Sequence, residues 1–174
     1  LNFVNAHLYN MAVRDEDFRR LLAASDCVVA DGMSIVWAAN LFGYRMRERC
    51  NLTEAFRAFL RDPDVPPTRC LLIGGDAEIA KKAAANINEK SIHCRVESWL
   101  SGYCTDEEYV SCLQEHRDAD MILLGMGSPK SERIAQMAAG ICKRAVIWHI
   151  GGGTVMFYGG VLKEAPVWMR RLGI

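Results

Sequence analysis

The chain has 174 residues, 51% of them apolar and 24% charged, with 21 basic against 21 acidic side chains. Such a length is one domain, and the composition is that of a folded soluble protein rather than a disordered tail or a collagen-like repeat. No apolar run approaches the ~18 residues that span a bilayer, and the zero net charge lacks the basic excess of a nucleic-acid binder, so nucleic acid is not expected as a partner.

The chain opens on Leu1-Asn2-Phe3-Val4, which reads as a strand already under way and ends at Asn5-Ala6-His7. A polar helical stretch around Asp15-Glu16-Asp17 follows. A strand is predicted over 27–30, then Asp31-Gly32, with Met33-Ser34 opening a helix. Leu52, Phe56, Phe59 and Leu60 recur on one helical face, so 52–60 is a helix. The proline-rich run 62–67 reads as a surface loop. Further strands are predicted over 70–73, 94–97 (the weakest), 121–124 and 145–150. Helices are predicted over 78–90, 106–116 and 131–139. Strands alternating with helices indicate βαβ units. Continuous apolar strands indicate a sheet covered on both faces. The expected fold is α/β: a Rossmann-like, mostly parallel sheet in a single domain.

Seven cysteines, an odd number with no C-x-x-C pair, argue against a zinc ribbon or disulfide framework and fit a reducing cytoplasm. The four histidines show no metal-ligand spacing.

In such sheets ligands bind beyond the carboxyl ends of the strands. Four of those ends carry candidates. Asp31 is either a helix cap or a catalytic carboxylate. Gly74-Gly75-Asp76 is either a backbone approach to an anion or a tight turn with Asp76 as cap. In Gly125-Met126-Gly127-Ser128-Pro129-Lys130-Ser131-Glu132, two glycines free the backbone, Pro129 suits a first helical position, and Lys130 adds a positive charge for a phosphate. Gly151-Gly152-Gly153-Thr154 is either a close approach, with Gly152 central, or a flexible turn. Together they point to a diphosphate-bearing ligand. Three D-x-D pairs are set aside as metal sites: those at 62–64 and 118–120 precede strands, at the wrong edge, and that at 15–17 lies on a helix. The stretch 160–172 is either a terminal helix packed on the core or a membrane contact through Trp168, Met169, Arg170 and Arg171.

In order, Asn5-Ala6-His7, Asp31-Gly32, Glu48-Arg49, Gly74-Gly75, Gly102-Tyr103, the element from Gly125 to Glu132, and Ala165-Pro166-x-Trp168 resemble the motif series of the WecG/TagA/CpsF family of bacterial glycosyltransferases. The resemblance covers nearly the whole chain. It implies inverting transfer of N-acetylmannosamine or a related sugar, without metal or other cofactor. The donor is a UDP-sugar, and the acceptor is a polyprenyl-diphosphate-linked sugar in cell-surface polysaccharide or teichoic acid synthesis. The implied location is peripheral, on the cytoplasmic membrane face. Asp31 maps to the family's base and Asn5 to its asparagine motif. Arg49, Gly102, Tyr103, Pro129 and Glu132 join the glycine turns and Lys130 as substrate-binding positions. Ser131 stands where the family has glutamine, Phe157 where it has aspartate, and Glu164 where it has arginine. The family continues into a basic tail past this point, so residues 1–174 are expected to be the transferase core and to transfer sugar poorly alone. Self-association is expected if apolar surface is left exposed. The alternatives are a non-catalytic nucleotide or sugar-nucleotide binding module of Rossmann type, and an oxidoreductase, which lacks the full dinucleotide fingerprint.

Overall fold

The structure, a computed structural model, describes residues 1–163. Glu164, Trp168 and the basic pair read above as a packing or membrane segment lie outside the described residues. Among the described residues the strands are β1 (Asn2–Val4), β2 (Val28–Ala30), β3 (Thr68–Gly74), β4 (Cys94–Leu100), β5 (Met121–Gly125) and β6 (Val146–His149). The helices are α1 (Ala6–Arg14), α2 (Glu16–Ala23), α3 (Met33–Leu41), α4 (Leu52–Arg61), α5 (Ala77–Lys90), α6 (Asp106–Glu115), α7 (Lys130–Ile141) and α8 (Gly152–Tyr158).

Four strands form a parallel sheet in the order β4-β3-β5-β6, and β1 and β2 form a parallel pair beside it. Leu1 joins the two. Its nitrogen donates to the Ile147 carbonyl at 2.7 Å, and its carbonyl accepts from the His149 amide at 3.1 Å. One residue bonded to two positions two apart is the pattern of a parallel ladder. All six strands therefore point the same way, and their carboxyl ends share one edge.

The strands alternate their apolar side chains between two cores. Leu72, Leu123 and Trp148 face α4, α5 and α8 through Phe56, Ala83, Ile87 and Val155. Leu71, Ile73, Ile122 and Leu124 face α6 and α7 through Tyr109, Leu113, Ile134 and Ala138. A strand buried on both faces has no polar alternation, which is why β3 and β5 read as unbroken apolar runs. On the edge strand β4, Cys94 and Val96 are buried while Arg95 and Glu97 are exposed, which explains its weaker signal. Phe56 is fully buried, with edge-to-face ring contacts to Trp148 at 5.5 Å and Tyr158 at 5.7 Å. Burial of such a ring contributes about 1.5–3 kcal/mol.

Candidate active-site crevice

Among the described residues, side chains cap five of the eight helices. Asn5 accepts from the Leu8 amide ahead of α1, Asp15 caps α2, Asn51 caps α4, Asp76 caps α5 and Thr105 caps α6. The helices α3, α7 and α8 begin after Gly32, Pro129 and Gly151 with no side-chain cap. All three follow strands, so the partial positive charge of their amino ends lies at the carboxyl edge of the sheet. Asp76 already occupies the α5 terminus, its carboxylate 2.8 Å from the Ile79 amide. At Gly74-Gly75-Asp76 the capped turn is therefore what the fold contains.

The glycines divide in the same way. A Cβ at Gly74 would lie 2.4 Å from the Gly125 carbonyl oxygen, and one at Gly125 would lie 1.9 Å from Val155 Cγ2. A Cβ at Gly102 would lie 2.9 Å from Met126 Cγ and 3.3 Å from the Gly75 nitrogen. The Gly102 amide also donates to the Gly75 carbonyl at 2.7 Å. These glycines let the ends of β3, β4 and β5 approach one another. Gly127 and Gly153, by contrast, face open space, and at Gly152 a Cβ would be no nearer than 3.7 Å to the Gly125 carbonyl oxygen.

Asp31 follows β2, and its amide donates to the Val4 carbonyl at 2.8 Å. The cap position of α3 is Gly32, so the capping reading of Asp31 fails. The carboxylate is partly buried and accepts no hydrogen bond among the described residues. Burial raises its pKa above the ordinary aspartate value, and the charge of Arg49 opposes the rise in part. The Cys50 amide donates to the Ala30 carbonyl at 2.8 Å, which lays this segment along the end of β2 and brings Arg49 to Asp31. Between β2 and β5 lie β1 and β6, so Asp31 stands three strand spacings, about 14 Å, from the Gly127 loop.

Four motif positions have surroundings the sequence did not indicate. Pro129 is the residue before α7, not its first: Lys130 opens the helix, and the Pro129 carbonyl accepts from Arg133 at 3.3 Å. The ammonium of Lys130 lies 5.3 Å from the Tyr109 ring centroid and 6.0 Å from that of Tyr103. It therefore leans toward β4, on the far side of the loop from Asp31. Glu132 is buried; it accepts from the Ser128 hydroxyl at 2.8 Å, and its Oε2 has no partner among the described residues. Its side chain lines a cleft of about 540 Å³ between α2 and α7 that includes none of the glycine loops. Ser131 is also turned inward, its hydroxyl donating to the Met126 carbonyl at 2.9 Å.

Sequence reasoning passed over one contact. The hydroxyls of Thr53 and Thr154 meet at 3.2 Å, tying the first turn of α4 to the uncapped start of α8. The glycine run before Thr154 was the available signal. The D-x-D pairs at 62–64 and 118–120 lie ahead of β3 and β5, and Asp120 is taken by Arg69 at 3.1 Å. The crevice thus combines a carboxylate with no hydrogen bond among the described residues, an arginine near it and helix starts without side-chain caps. Such a set can accept a proton at one end and hold an anion at the other.

A Bacillus subtilis (strain 168) protein named N-acetylglucosaminyldiphosphoundecaprenol N-acetyl-beta-D-mannosaminyltransferase is 25% identical over 174 residues, covering all of this chain and 68% of the relative. Residues 1–174 match the glycosyl transferase WecG/TagA/CpsF family, and the chain belongs to that family of glycosyltransferases.

Proposed function

We propose that residues 1–174 are the core of an inverting glycosyltransferase. It moves N-acetylmannosamine or a close relative from a UDP-sugar to a polyprenyl-diphosphate-linked sugar at the cytoplasmic membrane face. The observation that carries this reading is Asp31: a partly buried carboxylate without a hydrogen bond among the described residues, on the same sheet edge as the uncapped starts of α7 and α8. The acceptor hydroxyl gives its proton to Asp31 as its oxygen forms a bond to the sugar's anomeric carbon. The bond from that carbon to the diphosphate breaks, and UDP leaves with the electron pair. A positioned base of this kind contributes about 10²–10⁴ in rate. The open amides near Gly127, Gly152 and Gly153 face the charge that develops on the diphosphate, which preorganised donors stabilise without a cation. Lys130 and Tyr103 lie at the nucleotide end, Arg49 at the sugar end. Support for the acceptor comes from the name of the Bacillus subtilis relative.

The test is Asp31→Asn with UDP-sugar and a lipid-linked acceptor. Transfer is expected to fall by about 10²-fold or more while UDP affinity stays within about twofold, the scale of an ordinary surface change. A variant keeping a tenth of the wild-type rate would overturn the assignment of the base. UDP binding with no transfer by the wild type, even in a longer chain, would leave a sugar-nucleotide binding module. Because burial raises the Asp31 pKa above 3.8, the base is lost on acidification before an ordinary aspartate would be. The wild-type rate should therefore decline as the pH falls through a value above that figure.

A further inference from the structure

The segment directly after Asp31 is unusual for a protein surface. Helix α3, Met-Ser-Ile-Val-Trp-Ala-Ala-Asn-Leu, contains no charged residue, although its Ser34, Trp37, Ala38 and Leu41 are all exposed. These positions are spaced i, i+3, i+4 and i+7, so they form one outward stripe. Trp37 is 67% exposed, Leu41 83%, Phe42 76% and Tyr44 71%. A contiguous apolar surface of this kind marks an interaction site.

The stripe is built, not frayed. Gly43 adopts φ +88° just past the helix, the Tyr44 amide donates to the Ala39 carbonyl and the Gly43 amide to the Asn40 carbonyl. That pair of bonds is a Schellman ending, which needs a left-handed residue and is met by glycine. Asn40 then clamps the returning chain: its Nδ2 donates to the Met46 carbonyl at 2.8 Å, and its Oδ1 accepts from the Met46 amide at 3.1 Å. The loop is held with Phe42, Tyr44, Arg45 and Arg47 all exposed. Over 42–49 three arginines stand against one glutamate, Glu48, and neither Arg45 nor Arg47 has an ion-pair partner among the described residues.

We infer that α3 and the Phe42–Arg47 loop are a docking surface for an anionic lipid bilayer, placed to present Asp31 to an acceptor carried in that bilayer. Tryptophan and tyrosine suit the bilayer interface, and aliphatic residues flanked by arginines suit shallow burial beside lipid phosphates. Charge selects this occupant over the two others at hand. A second copy docked symmetrically would set the arginine-rich loop against itself. The chain's own residues 164–174 bring Arg170 and Arg171 against a single acid, Glu164, which again opposes like charges. Only an anionic surface complements both the apolar stripe and the arginines. This inference rests on the proposed transferase reading for the acceptor alone; the bilayer contact stands on the surface itself.

The experiment is co-sedimentation of the full chain with vesicles containing phosphatidylglycerol, against vesicles of phosphatidylcholine alone. The comparison adds the triple variant Trp37→Ser, Leu41→Ser, Phe42→Ser and the double variant Arg45→Gln, Arg47→Gln. The wild type should partition to the anionic vesicles. The triple variant should lose about tenfold or more, as burial of several apolar side chains is removed. The arginine variant should lose about fivefold per charge on anionic vesicles only. All these side chains are exposed, so thermal unfolding should be unchanged, and transfer to a water-soluble short-chain acceptor should match the wild type. Absence of wild-type partitioning, or equal partitioning by the triple variant, overturns the inference. So does a triple variant that changes only the sedimentation coefficient of the free protein, which would assign the face to a second copy. Wild-type vesicle binding through this face without any sugar transfer, even in a longer chain, would retain the docking surface and refute the transferase reading instead.

Discussion

Two neighbouring corners of the carboxyl edge use glycine for opposite purposes. At the ends of β3, β4 and β5, a Cβ on Gly74, Gly102 or Gly125 would run into backbone or a buried side chain. At the starts of α7 and α8, Gly127 and Gly153 face nothing within 4 Å among the described residues. The first corner is closed by the protein on itself, and Asp76 satisfies the helix end there. The second is left open, with no side-chain cap on either helix among the described residues. A glycine-rich strand end therefore signals close approach, but the approaching group is the protein's own backbone in one case and the candidate ligand in the other.

Alanine substitution separates the two corners. Gly74→Ala and Gly125→Ala carry the largest expected effect. The Gly125 carbonyl cannot move away from a methyl group at 2.4 Å without disturbing β5, and Val155 is fully buried. Overpacking of this kind costs about 1–3 kcal/mol and occasionally more. Urea melts should show both variants markedly destabilised, whether or not UDP is present. A Gly125→Ala protein as stable as the wild type would show that the corner is not closed. Gly127→Ala should instead unfold like the wild type and bind UDP about tenfold more weakly, because the added methyl group holds the diphosphate off the main-chain amides, a loss comparable to one charge-assisted hydrogen bond. Isothermal titration measures this directly, and unchanged affinity would move the diphosphate away from the α7 start.

The same division explains what the sequence could reveal. Continuous apolar runs disclosed β3, β5 and β6 because both faces of those strands are covered. The periodic face of Phe56 and Leu60 disclosed α4. Helix α8 was hidden: its first residues are Gly152 and Gly153, poor helix formers that local propensity assigns to a turn. Its formation is imposed by tertiary packing of Val155 and Tyr158. Helix α1 was hidden for the converse reason, since Leu8 is its one buried residue and leaves almost no apolar period to detect. In the crevice, the motif positions were legible but the direction of their side chains was not. Lys130 and Glu132 are two residues apart on one helix turn, which sends the first toward Tyr103 and the second into the α2–α7 cleft. Adjacency in a motif says nothing about a shared face when the motif runs into a helix.

Gly153→Ala sharpens the contrast further, because its sign is reversed. Inside α8 a methyl group meets no atom within 4 Å, and alanine gains about 0.5–1 kcal/mol over glycine in a helix. The melting temperature should rise. A fall would mean that the α8 start is already filled by the protein.

The smallest expected effect on stability lies at Asp31, and it follows from the open corner being held for chemistry rather than for stability. Burial disfavours the ionised carboxylate more than Arg49 favours it, so the folded state raises the pKa. Above that raised pKa both folded and unfolded chains carry the charge, and the folded chain bears its full desolvation cost. Below the ordinary value of 3.8 both are protonated and the cost is gone. Asn at position 31 resembles the protonated form at every pH. Asp31→Asn should therefore melt slightly higher than the wild type at neutral pH, and the gap should close as the pH falls through the raised pKa toward 3.8. A side chain whose removal stabilises the fold while abolishing transfer is retained for its reaction. Equal or lower stability of the variant at neutral pH would instead make Asp31 part of the framework, in the same class as Gly74 and Gly125.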